Sequence, residues 1–137
     1  MPGYADVMDR HITLSESDLA ARQARDAVRN AVTEWQMSSC LDDALLIVSE
    51  LVTNATSHSS GEVSLHLRTS GTLLRIEVHD EQVDTLPETR DPSDTEPGGR
   101  GLHLVTALSS NWGWEVGAHT KTIWAEIPCG ADQLASN

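Results

Sequence analysis

The chain has 137 residues and carries 21 Asp and Glu against 9 Lys and Arg, a formal net charge of −12. That length predicts one domain with a real core, and the negative field argues against nucleic acid as a direct partner. With no Phe, one Tyr and four Trp, the chain also lacks a row of aromatic platforms for unpaired bases.

No apolar run reaches the roughly 18 residues a membrane helix needs, and Met1-Pro2-Gly3-Tyr4-Ala5-Asp6 lacks a basic-then-apolar leader pattern. A cytoplasmic protein with no membrane contact is the expectation. Cys40 and Cys129 show no metal-ligand spacing, which fits a reduced compartment and predicts no disulfide. The acidity would draw a basic protein partner, and it serves solubility equally well.

Taken in order, His11-Ile12-Thr13-Leu14 alternates as a first strand would. Ser15 to Asp18 offer cap oxygens and carboxylates for a helix to about Gln36, with Leu19, Ala20, Ala24, Ala27, Val28, Ala31, Val32 and Trp35 on one side. After a break at Met37-Ser38-Ser39, Asp42 and Asp43 favour a second helix start. Its apolar side is Leu41, Ala44, Leu45, Val48, Leu51, Val52 and Ala55, and it should stop near His58 to Gly61. The period then changes to two. Glu62 to Arg68, a turn at Thr69-Ser70-Gly71, and Thr72 to Asp80 predict an antiparallel hairpin.

Between Glu81 and Gly99 periodicity is lost, and Pro87, Pro92, Pro97 and the acidic stretch from Asp91 to Glu96 mark a long loop, read as a lid. Gly101 to Leu108 predicts a short helix, and Trp112 to Val116 with Thr120 to Ile127 a closing hairpin ended by Pro128. These elements give an α/β domain with an antiparallel-rich sheet covered on one face.

Glu50 and Asn54 lie four residues apart, so they project together from the second helix. A carboxylate beside a neutral oxygen donor suits a magnesium–phosphate site, and the plain alternative is a polar pair at a helix edge. Three later features of the chain favour the first reading: Asp80 ends a strand, Gly98-Gly99-Arg100-Gly101 opens a helix, and Lys121-Thr122 enters the last strand.

This ordered set, from Glu50-Leu51-Val52-Thr53-Asn54-Ala55 through Asp80 and Gly99-Arg100-Gly101-Leu102 to Lys121-Thr122-Ile123-Trp124, resembles the ATP-binding motifs of the GHKL superfamily. Within it, the chain is similar in length and motif order to the bacterial anti-sigma-factor serine kinases. The resemblance covers roughly residues 12 to 128. It implies a Bergerat-type two-layer α/β sandwich, with a mixed, mostly antiparallel sheet and helices on one face, and ATP and Mg²⁺ as cofactors.

The resemblance also implies a role for each position. Asn54 would place its carboxamide oxygen on Mg²⁺, and Glu50 would be general base toward a serine hydroxyl. Asp80 would accept from the adenine amino group, with Thr122 supporting it. Gly99, Arg100, Gly101 and Leu102 would hold the phosphates, the glycines letting backbone N–H groups approach and the helix pointing its positive end at them. The implied partners are a sigma factor and an anti-anti-sigma protein, and the group commonly forms homodimers, a pairing that an apolar strand face could support. One departure stands out: the superfamily has a glycine two residues after the strand-end aspartate, and here Gln82 occupies it. A module of the same fold that sequesters a partner without catalysis is the second reading.

Overall fold

The computed structural model describes residues 8–15, 18–58, 61–83 and 99–130, and gives the backbone alone at 57, 58 and 99–101. Strand β1 (Met8–Leu14) leads into helix α1 (Leu19–Glu34), a single 3-10 turn (Ser38–Cys40) and helix α2 (Leu41–His58). Strands β2 (Val63–Ser70) and β3 (Leu73–Asp80) follow, then helix α3 (Gly99–Leu108) and strands β4 (Asn111–Val116) and β5 (Lys121–Pro128). The predicted lid lies almost wholly outside the described residues.

The five strands form one sheet in the order β1-β2-β3-β5-β4. Every pairing is antiparallel, so the expectation of a mixed sheet is corrected. The last hairpin inserts β5 between β3 and β4, so β4, the strand reached after α3, pairs with β5 at the sheet edge and not with β3. Alternation then sorts the side chains. Val63, Leu65 and Leu67 of β2, Leu74, Ile76 and Val78 of β3, and Ile123, Ala125 and Ile127 of β5 are buried on the inner face. Helix α1 meets that layer with Ala20, Ala24, Ala27, Val28, Ala31 and Val32, whose small size allows close approach. Helix α2 contributes Ala44, Ile47, Val48, Leu51, Val52 and Ala55, and packs against α1, α3 and the sheet.

Helix α1 ends without a glycine. Gln36 takes φ 58°, its N–H donates to the Thr33 carbonyl at 3.2 Å, and the Met37 N–H donates to the Val32 carbonyl at 2.8 Å. That pair of bonds is a Schellman stop, and its C″ and C3 residues, Met37 and Val32, are both buried.

The cysteines correct a second expectation. Cys40, where the 3-10 turn meets α2, and Cys129, just past β5, form a disulfide across 89 residues with Cα atoms 5.2 Å apart. Both are buried, and the bond ties the start of α2 to the end of the sheet beside the carbonyl of Met37. No helix among the described residues is long and apolar enough to cross a membrane.

Candidate functional site

Helix α2 begins with Asp42 and Asp43, whose charges favour the positive end of the helix. One turn apart near its far end, Glu50 and Asn54 are both half-buried, at the border between the buried stripe and the exposed positions Leu46 and Thr53. The predicted sharing of one helix face is therefore present, at a depth where a side chain has both a fixed base and access to solvent. Ser49 and Thr56 turn their hydroxyls back onto the carbonyls of Leu45 and Val52, each within 2.9 Å, and leave the Glu50–Asn54 face to those two side chains.

Asp80 closes β3 on the inner face, 1 % exposed. Its Oδ1 accepts the Gln82 N–H at 2.7 Å. Its Oδ2 is buried with no hydrogen-bond partner among the described residues, and the Lys121 ammonium stands 3.7 Å away, beyond hydrogen-bond range. Burial holds the Asp80 carboxyl above its ordinary value, and the Gln82 amide and the Lys121 charge offset this only in part. A buried acceptor left open in this way fits the exocyclic amino group of a purine, which would satisfy it without bringing in a second charge. The departure at Gln82 thus has a visible consequence: its backbone fixes one carboxylate oxygen, while its half-buried side chain stands where the resemblance implies a glycine.

Thr122 is not beside Asp80. The β3–β5 register sets Asp80 opposite Lys121 and His79 opposite Thr122, so Thr122 faces the other side of the sheet, its hydroxyl 2.7 Å from His79 Nδ1. On this geometry Thr122 and Asp80 face opposite sides of the sheet, and buried Lys121 is the β5 residue that meets the aspartate. Sequence reasoning missed it because the choice between adjacent strand residues depends on register, and a lysine entering a strand reads as a surface charge.

Helix α3 starts at Gly99, so Gly99, Arg100 and Gly101 form its first turn, two residues earlier than expected. Its amide-rich end is where the glycine pattern predicted an anion-facing terminus. Leu102 and Val105 bury the helix against the core, and it packs on α2, the helix that carries Glu50 and Asn54. His103 in the second turn has a buried Nε2 without a hydrogen-bond partner among the described residues, a second open polar atom that no motif announced.

Comparison with known proteins agrees with this layout. A family model described as a histidine kinase-like ATPase domain matches residues 14–127. No match is found among curated proteins. Among solved structures, the RsbU and RsbW domains of Rv1364c from Mycobacterium tuberculosis superpose with a TM-score of 0.66 at 23% identity, over 93% of this chain. This chain spans 35% of that two-domain chain, and the likeness is one of fold. The family match runs from the end of β1 to the last turn of β5 and takes in every element that carries the site. The chain belongs to the histidine kinase-like ATPase domain family.

Proposed function

We propose that this protein is an ATP-binding anti-sigma regulatory factor that transfers phosphate to a serine or threonine of an anti-anti-sigma antagonist. The observation that carries the reading is the buried Oδ2 of Asp80, which has no hydrogen-bond partner among the described residues and only the Lys121 charge 3.7 Å away, on the face of the sheet covered by the helix bearing Glu50 and Asn54. Asn54 offers a carboxamide oxygen to Mg²⁺, and the first turn of α3 offers backbone N–H groups to the phosphates. Glu50 takes the proton of the attacking hydroxyl, and its border position gives a protein substrate access to it. Bound ATP with Mg²⁺ supplies the phosphoryl group and the charge neutralisation it needs.

A non-catalytic sequestering module is the second reading, and two residues favour it. Gln82 brings a long side chain beside Asp80, and Lys121 places a cation next to the oxygen that would receive adenine. A phosphoryl-transfer assay with ATP, Mg²⁺ and an anti-anti-sigma protein separates the two. The kinase reading expects Glu50→Ala to lower transfer by about 10²- to 10⁴-fold while nucleotide binding persists. Wild-type protein that binds partner but never transfers phosphate would leave the module as the function.

A further inference from the structure

The sheet face turned away from the helices carries a second cluster of chemistry-bearing side chains. Antiparallel register lines up His11 of β1, His66 of β2, Glu77 of β3 and Trp124 of β5 across the strands. His79 stands two residues along β3 on the same face. Glu77 Oε1 lies 3.6 Å from His66 Nδ1 and 3.3 Å from His79 Nε2, and the three ligand atoms all fall within 4.8 Å of one another.

These distances have a geometric meaning. Bonds of about 2.1 Å to a tetrahedral ion give ligand–ligand edges of about 3.4 Å, and the two measured edges bracket that value. The surroundings aim the donors. The Thr122 hydroxyl on Nδ1 fixes the His79 ring and leaves Nε2 toward Glu77. Glu77 divides its carboxylate: Arg75 Nε holds Oε2 at 2.6 Å, with an Arg68 nitrogen at 3.6 Å, while Oε1 faces the two imidazoles. Burial alone would raise the Glu77 carboxyl, and the Arg75 hydrogen bond together with the charges of Arg75, His79 and His66 holds it below its ordinary value.

Arg75 is itself clamped, stacked 4.2 Å from the centre of the Trp124 ring and bonded to Glu126 at 3.0 Å. Asp9, Glu77 and Glu126 outnumber Arg68 and Arg75 here, so the patch accepts a dication. His11 is exposed, with its ring 5.5 Å from that of His66 and 6.3 Å from that of His79, within reach of a fourth coordination position by side-chain rotation.

We propose that His66, Glu77 and His79 form a binding site for a zinc-class transition-metal ion, with His11 or water as fourth ligand. Two imidazoles and one carboxylate select zinc, cobalt, nickel or copper over magnesium and calcium, which prefer all-oxygen sites. The site lies on the sheet face opposite Asp80 and does not depend on the nucleotide reading.

The test uses the whole chain without nucleotide, in non-reducing buffer so that the Cys40–Cys129 disulfide withholds both thiolates. Zinc is titrated by calorimetry and by competition with a chromogenic chelator, and Co²⁺ is added to read the ligand-field bands of a nitrogen–oxygen tetrahedral site. One equivalent should bind, with His66→Ala and His79→Ala each weakening it at least tenfold. Glu77→Gln, which keeps the side chain's shape, should do the same, and circular dichroism confirms that each variant is folded. The site is refuted if the wild type shows no saturable zinc binding, or if the folded His66→Ala/His79→Ala double variant binds as tightly as the wild type.

Discussion

Thr122 and Lys121 are chain neighbours with opposite surroundings. Lys121 is buried beside Asp80, whereas Thr122 bonds His79 on the far face. Thr122→Val should therefore leave ATP affinity within about twofold of the wild type, the range of a substitution remote from the pocket. The same change should weaken zinc binding by about tenfold through the loosened His79 ring. Calorimetry with each ligand checks both arms, and a large loss of ATP affinity would return Thr122 to the nucleotide site. Glu50 and Asn54 were legible without coordinates because i,i+4 spacing on a helix needs no tertiary information. Asp80 was legible as a strand end. Its buried, half-satisfied carboxylate was not, because that state depends on what β5 places beside it.

The end of α1 offers the clearest test among the elements. Gln36 holds a left-handed backbone that costs a residue with a Cβ about 1 kcal/mol, and the bonds of the Schellman stop pin it there. Gln36→Gly should raise the unfolding free energy by about 0.5–1 kcal/mol, seen as a higher urea midpoint at unchanged slope. A lower midpoint would mean that the glutamine side chain contributes more than the backbone loses. No glycine marked this boundary, yet the loss of periodicity after Trp35 did, which is why the predicted helix overran by only two residues. The β2–β3 hairpin was read closely for the opposite reason. Gly71, with φ 75°, sits in a two-residue turn that alternation on either side defines. The helix starting at Gly99 was placed late, because two glycines in a first turn read as loop.

Among the described residues, one continuous core joins the three helices and the sheet, and the Cys40–Cys129 bond ties across it. Nothing local in the sequence pairs Cys40 with Cys129. The bond comes from the sheet order, which returns the end of β5 to the start of α2. Closing a loop of 89 residues restricts the unfolded chain, so reduction should lower stability by about 2–4 kcal/mol. Urea denaturation with and without reductant measures it, and equal midpoints would show that the bond contributes nothing to the native state. The metal cluster was illegible for the same topological reason. His11, His66, Glu77 and His79 come from three strands, and only the register gathers them.

Nucleotide binding through Asp80 is the claim on which the functional account rests. Calorimetric titration of wild type and Asp80→Asn with ATP and Mg²⁺ tests it most directly, since Asn keeps the shape and removes the charged acceptor. Saturable wild-type binding that Asp80→Asn weakens by about 10- to 100-fold is the predicted result, the effect of losing a hydrogen bond to a charged group. No binding at millimolar ATP, or equal binding by a folded Asp80→Asn variant, would contradict it.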